Sequence, residues 1–369
     1  MSTSEFPKHF MWGAAASAPQ TEGAANEGGK SPSTWDIWYE KDPDNFHNKI
    51  GPKDTSNVYH LYKEDIKRMQ DMNLNSYRTS IAWTRLLPDG KTLNQEAVSY
   101  YRDYFSTLKE HGVEPIVNLF HFDMPWWLME KGGWENYEAI EHFAYYANEA
   151  FKAFGDIVSK WTTFNEPMVH IDCGYLGDAH WPMVNDLKRA VQVGYHTLLA
   201  HFAAVKAFRE GKYDGEIGTI LNLSPIYPKD DSKENLEAQE IGEAIYIKSL
   251  LDPIALGHFN PLLTKILKEN DLMPVKKEND ETYLAYGIDF LGVNYYQPLR
   301  VQHQPDGKRP IQSRGDLVRG YNWPDKKVNP HRGWEIYEKG VYDIAMTLKN
   351  DYNNIPWFLS ENGMGVEGE

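Results

Sequence analysis

The sequence predicts an α/β protein in which parallel strands alternate with helices along the whole chain. Three observations lead to this prediction: seven short apolar runs, segments of helical period between them, and no low-complexity linker or break in composition over 369 residues. Parallel neighbours need crossover connections, and the intervening helices supply them. The pattern fits either a doubly wound sheet or a (β/α)8 TIM barrel, and we expect one domain over residues 1–369.

The seven predicted strands are apolar runs bounded by turn residues. Several are apolar almost without interruption, as is typical of parallel strands that helices cover on both faces. In chain order the runs are 10–18, 76–83, 114–122, 160–165, 216–223, 288–296 and 356–360.

Helical period appears between these runs. One helix is indicated by the three- and four-residue spacing of Val58, Leu61, Tyr62, Ile66 and Met69, and another by that of Phe143, Ala147, Ala150, Phe151 and Phe154. Thr92 or Asn94 can cap a helix that runs to His111, and Gly112 ends it. A long Ala-rich helix is predicted over 187–210.

The last part of the chain departs from a full barrel pattern. Eight βα units take about 250 residues, and an eighth would need at least roughly 40 more after the seventh run. We therefore expect the last βα unit to be missing and the barrel to be C-terminally incomplete. Such a chain would be poorly active and prone to associate through its unpaired strand edges. The stretch 304–329 is predicted to form one long loop over the strand ends.

The composition argues against nucleic acid and membrane partners. The 38 Lys and Arg against 53 Asp and Glu give a net charge of −15, which suits a phosphate backbone poorly. No stretch approaches the ~18 consecutive apolar residues of a membrane span. The chain start has no apolar segment of a secretory signal. Cys173 is the single cysteine, which excludes an internal disulfide and favours a reducing, cytoplasmic location.

Two glutamates stand at predicted strand ends, each followed by residues that turn the chain. They lie in Thr163-Phe164-Asn165-Glu166-Pro167 and in Ser360-Glu361-Asn362-Gly363. Active sites of parallel barrels form at this end of the strands. Glycoside hydrolysis needs one protonated and one ionised carboxyl group, about 5–5.5 Å apart when configuration is retained. Either residue alone is more often a helix cap or a surface ion pair, but the two together favour catalysis.

These two segments resemble the two signatures of glycoside hydrolase family 1. Further segments resemble the family's motifs in its own order, over essentially the whole chain: Phe10-Met11-Trp12-Gly13, Gln20-Thr21-Glu22-Gly23, Tyr77-Arg78-Thr79-Ser80, Leu119-Phe120-His121-Phe122 and Gly292-Val293-Asn294-Tyr295-Tyr296. The resemblance implies a (β/α)8 TIM barrel, a retaining β-glycosidase, and no metal or other cofactor.

The resemblance also implies roles for the residues around the reacting bond. Glu166 would be the acid/base and Glu361 the nucleophile. Asn165 would bind the sugar 2-hydroxyl, and Tyr296 would line the same site and hydrogen-bond the nucleophile. Arg78 would help to keep the nucleophile ionised, although a structural ion pair is the ordinary explanation of such an arginine.

Four further positions are implied to bind substrate. Gln20 and His121 match residues that hold the 3- and 4-hydroxyls, and Asn294 matches a residue of the same subsite. Trp334 resembles a platform on the aglycone side. A lone histidine such as His121 is more often a satisfied core residue than a ligand.

Within the family, the chain looks most like the bacterial 6-phospho-β-glucosidases, because of His121-Phe122, Asp123-Met124-Pro125 and the segment 17–23. This resemblance implies a phosphorylated disaccharide or aryl glucoside as substrate. The family residues that hold the phosphate follow strand eight, beyond the pattern seen here. Two alternatives therefore stay open: a β-glucosidase or β-galactosidase for unphosphorylated sugars, and an inactive sugar-binding fragment that could form oligomers.

Overall fold

The structure, a computed structural model, describes residues 5–366 of the chain. Residues 1–4, on which the expected lack of a secretory signal partly rests, and 367–369 lie outside the described residues. The chain divides into two units, which are described in turn. The first unit consists of 1–130, 146–162 and 212–215, and the second of 131–145, 163–211 and 216–369.

The strands of the described residues fall into two sheets. Seven parallel strands belong to one sheet in the order β1, β2, β3, β4, β5, β7, β10, and three belong to a smaller sheet in the order β6, β8, β9. Their bounds are β1 (Gly13–Ala15), β2 (Ser76–Ser80), β3 (Glu114–Phe120), β4 (Lys160–Asn165), β5 (Glu216–Asn222), β6 (Ile226–Pro228), β7 (Phe290–Asn294), β8 (Leu299–Gln302), β9 (Arg319–Gly320) and β10 (Trp357–Glu361).

Helices connect the strands. The α-helices are α1 (Ala18–Thr21), α2 (Thr34–Lys41), α3 (Val58–Asp71), α4 (Trp83–Leu86), α5 (Gln95–Glu110), α6 (Trp126–Met129), α7 (Glu138–Phe154), α8 (Pro167–Tyr175), α9 (Leu187–Gly211), α10 (Lys233–Tyr246), α11 (Lys248–Leu256), α12 (Pro261–Glu269) and α13 (Lys339–Asp351). Short 3-10 helices occupy Pro43–Asn45, His47–Lys49, Gly133–Glu135, Asp280–Ala285 and Arg314–Asp316.

In the first unit, β2 lies between β1 and β3 in parallel register. The connection from β2 to β3 runs through α5. The Oδ1 atom of Asn94 accepts a hydrogen bond from the backbone N–H of Glu96 at 3.1 Å and so caps this helix. Gly112, with φ +74°, ends the connection in the left-handed region that favours glycine. Both features confirm the boundaries that the sequence predicted for this helix.

In the second unit, β7 lies between β5 and β10, again in parallel register. Asn294 at the end of β7 is paired with Asn222 on one side and with Glu361 on the other. A register irregularity between Leu359 and Glu361 shifts the last residue of β10 relative to its neighbour. The ladder therefore brings Glu361 and Asn294 side by side at the carboxyl ends of their strands.

All seven predicted strands of the parallel sheet are present, most of them shorter than their apolar runs. Helices α3, α5, α7 and α9 confirm the four predicted helices. The prediction of one long loop over 304–329 was wrong, because the stretch contains a 3-10 helix and strand β9. That strand pairs antiparallel with β8, which satisfies backbone groups of the segment.

Candidate active site

The nine residues predicted from the sequence to form the site fall into both units. The first unit contains Gln20, Arg78 and His121, and the second contains Asn165, Glu166, Asn294, Tyr296, Trp334 and Glu361. Six of them stand at or just beyond the carboxyl end of a strand of the parallel sheet, namely His121, Asn165, Glu166, Asn294, Tyr296 and Glu361.

In the first unit the structure brings Arg78 and His121 together. Both side chains are buried. Nη1 of Arg78 donates to the carbonyl oxygen of Ala16 at 2.9 Å and lies 3.3 Å from Nδ1 of His121. Gln20, in α1, accepts a hydrogen bond from the Ser17 hydroxyl at 2.6 Å.

Asp123 anchors the turn that carries His121. Its Oδ1 accepts the backbone N–H of His121 at 3.1 Å. Burial raises the pKa of Asp123 to about 6 from an ordinary value near 3.8. The residue between them, Phe122, has φ +72°, which is unusual for a bulky side chain. The sequence analysis did not single out Asp123 as a functional position.

In the second unit Glu166 occupies the junction of β4 and α8. Its backbone is left-handed, with φ 47° and ψ 61°. Its N–H donates to the carbonyl oxygen of Ile220 at 2.9 Å, while its own carbonyl accepts from the N–H of Val169. Pro167 takes the first helical position, where a missing N–H costs nothing. The chain thus turns sharply at Glu166 instead of continuing the strand.

Asn294 links the surroundings of the two glutamates. Its Nδ2 donates to Oε1 of Glu166 at 2.8 Å and to Oδ1 of Asn165 at 3.1 Å. Its Oδ1 accepts from the Ser360 hydroxyl at 2.5 Å, and its backbone is the ladder partner of Glu361. The structure therefore places both glutamates at the carboxyl end of β7, although they are far apart in sequence.

Glu361 is held by its own neighbours in the second unit. Oε2 accepts a hydrogen bond from the Tyr296 hydroxyl at 2.6 Å. Nδ2 of Asn362 donates to the carbonyl oxygen of Tyr295 at 2.6 Å and fixes the turn after the glutamate. The Tyr296 ring lies 5.3 Å from the ring of Trp334. Tyr296 thus connects the carboxylate to the predicted platform.

Residues that the sequence analysis missed hold Trp334. The neighbouring Glu335 is buried, pairs with Arg300 at 2.7 Å, and donates its N–H to Gln297. Asn329 is also buried, accepts the N–H groups two and three residues later, and donates to the carbonyl oxygen of Gly365. Asn329-Pro330 followed by Gly333 was a turn signal that could have identified this hub.

Metal and membrane features are absent from the described part of the chain. Between residues 5 and 366, no group of three or more His, Cys, Asp or Glu side chains is arranged to hold a metal ion. Among these same residues, no helix combines the length and hydropathy needed to span a bilayer.

The sequence matches a known family over nearly its full length. The model of glycosyl hydrolase family 1 matches residues 2–369. A 6-phospho-beta-glucosidase, GmuD, of Bacillus subtilis is 48% identical over 99% of this chain and 79% of its own length. Beta-glucosidase A of Acetivibrio thermocellus is 35% identical over 100% of this chain and 81% of its own length.

Solved structures show the same architecture. The family 1 β-glucosidase from Thermotoga maritima superposes with a TM-score of 0.89 at 32% identity, covering 97% of this chain and 78% of that chain. The same enzyme has been solved in complex with glucoimidazole. With the seven-stranded parallel sheet, this likeness confirms the α/β TIM-barrel fold class predicted from the sequence.

Proposed function

Because this chain belongs to glycosyl hydrolase family 1, we propose that it hydrolyses 6-phospho-β-glucosides with retention of configuration, using Glu166 as acid/base and Glu361 as nucleophile. The coarser statement, a glycoside hydrolase acting on a carbohydrate, follows from family membership. The observation that carries the assignment of residues is Asn294, which is bonded to the first glutamate and paired in the sheet with the second.

The proposed reaction proceeds in two displacements. In the first, a carboxylate oxygen of Glu361 attacks the anomeric carbon while Glu166 gives its proton to the departing glycosidic oxygen. In the second, water attacks the same carbon, Glu166 takes the proton of that water, and the bond to Glu361 breaks. Glu166 returns to its protonated form and Glu361 to its ionised form. The sugar leaves with its original anomeric configuration, and no cofactor takes part.

The hydrogen bonds of the two glutamates support this order of roles. The Tyr296 hydroxyl donates to Glu361, and such a bond favours the ionised carboxylate that a nucleophile requires. Oε1 of Glu166 accepts an N–H of the Asn294 amide, which either the neutral or the ionised carboxyl group can do. Its left-handed backbone is a strained conformation of the kind that persists where function requires it.

The proposed substrate contacts follow the same framework. Asn165, Asn294 and Tyr296 would line the sugar site in the second unit, with Trp334 on the aglycone side. Gln20, His121 and Arg78 keep the roles expected from the resemblance, two for sugar hydroxyls and one for the nucleophile. Each of these roles can be tested by a single substitution.

The proposed 6-phosphate specificity rests on the 48% identity to an enzyme named as a 6-phospho-beta-glucosidase. A cytoplasmic location would suit such a substrate, since phosphorylated sugars do not cross membranes freely. The β-glucosidase from Acetivibrio thermocellus, at 35% identity, favours the unphosphorylated alternative less strongly.

One comparison tests the proposed substrate. Hydrolysis is measured with 4-nitrophenyl β-glucoside, β-galactoside and the 6-phosphates of both. We expect kcat/KM for the glucoside 6-phosphate to exceed that of the free glucoside by at least about 100-fold, because a site built for a polar group rejects ligands that lack it. A preference for a free sugar would overturn the phosphate assignment. Reversible binding without covalent labelling of Glu361 by a 2-deoxy-2-fluoro glycoside would support the inactive alternative.

A further inference from the structure

A cavity of about 430 Å³ lies within the second unit, between four of its helices. Its walls include Ile171 from α8, Leu198 from α9, Leu250 from α11 and Ile266 from α12. Among the described residues that line it, none is one of the nine predicted for the active site. The volume falls in the range of about 300–1,000 Å³ that small-molecule sites occupy. The cavity is therefore large enough for a ligand that the proposed reaction does not use.

The walls of the cavity are apolar and belong to two clusters of the core. Leu198 and Leu250 pack in one cluster, whereas Ile266, Leu272 and Ile311 form another. All five side chains line the cavity. Dispersion attraction acts between atoms about 3.5–4.0 Å apart, so an apolar occupant would add contacts to both clusters at once.

Gly194 enlarges the cavity from the middle of α9. Its backbone lies outside the left-handed region, so the helix does not require glycine there. Beyond its own helix, a Cβ atom at this position would have one neighbour within 4 Å, Cδ1 of Ile171 at 3.4 Å, which is ordinary van der Waals contact. Alanine is the better helix former. The position therefore has room for a side chain, and that room belongs to the cavity.

The charged groups at the rim of the cavity are neutralised in pairs. Asp172 and Arg314 lie 2.7 Å apart, and Lys276 and Glu281 lie 3.1 Å apart. The remaining charged side chain of the described lining, Lys268, is exposed to solvent. Moving an ion from water into an apolar site without a partner is costly. The cavity therefore favours an uncharged ligand.

The hydroxyl and aromatic side chains of the lining narrow the class of ligand further. The hydroxyls of Ser249 and Thr264 donate to backbone carbonyls four residues earlier, at 2.8 and 2.9 Å. The Tyr195 hydroxyl donates to Asp280, so these three hydroxyls already have partners. The Tyr195 ring lies 6.2 Å from that of Phe259, a distance at which aromatic rings pair favourably. The site therefore suits an aromatic molecule that needs few hydrogen bonds.

We propose that this cavity binds a small, uncharged aromatic molecule of one or two rings. An apolar cavity of about 150 Å³ already accepts benzene, so this larger one has room for a naphthalene skeleton. The exposed Lys276 and Glu281 mark its mouth, where a single hydroxyl of the ligand can stay in water. The ligand would contact α8, α9, α11 and α12 and stabilise their packing. Its binding does not depend on the proposed function.

The probe is 2-naphthol, whose Kd for the full chain is measured by isothermal titration calorimetry at neutral pH. We expect one molecule to bind per chain and to raise Tm, because a ligand that binds the folded state alone stabilises it. 2-Naphthoate, which has the same rings and a negative charge, should bind at least about 10-fold more weakly. Gly194→Leu should also weaken 2-naphthol binding at least about 10-fold, since it displaces two or more ligand carbons and each buried carbon contributes about 4-fold in affinity.

Control variants decide where the probe binds. Gly287→Leu makes the same change at an exposed position, where a Cβ would have no neighbour within 4 Å, and should keep Kd within about 2-fold. Trp334→Ala removes the predicted aglycone platform and should leave Kd equally unaffected. Ser249→Leu fills the cavity from α11 and takes the place of Gly194→Leu if that variant folds poorly.

Three results would overturn the proposal. The first is no binding of 2-naphthol by the wild type up to the solubility limit of the probe. The second is an affinity that the two cavity-filling variants retain, whether or not Trp334→Ala abolishes it, because the probe then binds elsewhere. The third is equal affinity for 2-naphthoate, because an apolar cavity with paired rim charges cannot accept an extra charge without loss.

Discussion

Replacing Asp123 by asparagine should stabilise the protein by about 3 kcal/mol at pH 8 and by only about 1 kcal/mol near pH 4.5. Asp123 is 2% exposed, and its Oδ1 accepts the N–H of His121. Its Oδ2 is buried with no hydrogen-bond partner among the described residues. The nearby cation, Lys30, is already paired with Asp36 at 2.6 Å. Burial therefore raises the pKa of Asp123 to about 6.

The sign and size of the effect follow from this shift. The folded state holds the proton of Asp123 more tightly than the unfolded state, whose carboxyl group has an ordinary pKa near 3.8. The free energy of unfolding therefore falls as the pH rises from about 4 to about 6. A shift of about 2 pKa units corresponds to about 3 kcal/mol. Asparagine keeps an acceptor for His121 but cannot ionise, so the variant escapes this loss.

Urea unfolding of both proteins between pH 4.5 and pH 8 measures the difference directly. We expect it to be about 1 kcal/mol at pH 4.5 and to reach about 3 kcal/mol in favour of the variant at pH 8. Other titrating groups are common to both proteins and cancel. Asp306→Asn, which makes the same change at an exposed position, is the matched control. A difference that stays constant with pH would refute the reasoning.

Three further predictions concern the proposed site and the buried ion pair of the first unit. Glu361→Gln should abolish turnover for every leaving group, as phenolate release will show. Glu166→Gln should keep a rapid first step with dinitrophenyl substrates and lose roughly 10²- to 10⁴-fold with phenyl substrates; identical profiles in the two variants would contradict the roles. Arg85→Met should lower the free energy of unfolding, measured with urea, by about 3–5 kcal/mol because it leaves the buried Glu22 without its cation. The double variant with Glu22→Gln should recover part of that loss.

The strands of the parallel sheet were predictable from apolar runs, but their ends were not. The first run was predicted over 10–18, whereas β1 covers Gly13–Ala15. Phe10 and Trp12 pack against Phe6, with ring centroids 4.6–4.9 Å apart, instead of joining the ladder. Trp83, at the end of the second run, begins helix α4 and is fully buried. A continuous apolar run cannot separate a buried strand from a buried helix.

The smaller sheet escaped prediction for a different reason. Strands β6, β8 and β9 contain 3, 4 and 2 residues, which is too short for any period to emerge. Their pairing depends on partners distant in sequence, and Pro228 in β6 is a residue that normally argues against a strand. These strands form because of their tertiary pairing, and their local sequences contain no pattern that predicts them.

Some residues of the site were likewise predictable from the sequence and others were not. Glu166 and Glu361 could be identified because each stands in a sequence motif in which the adjacent residues also have roles. Ser360 lies inside one of those motifs, yet its hydroxyl bonds to an amide contributed by another strand. The Arg300–Glu335 pair beside Trp334 likewise joins two distant segments. Contacts of this kind have no spacing that a single sequence could reveal.

Local rules of stability are broken at the strand ends where the proposed chemistry lies. Glu166 and Phe122 adopt left-handed backbones, which cost about 1–3 kcal/mol each in residues other than glycine. Asp123 adds a carboxyl group whose ionisation is opposed by its burial. Glycine at 166 and an uncharged residue at 123 would each relieve a penalty that the fold does not require. That the chain keeps a strained glutamate where glycine would be easier is a physical argument for function at Glu166, and it holds without any reference to related proteins.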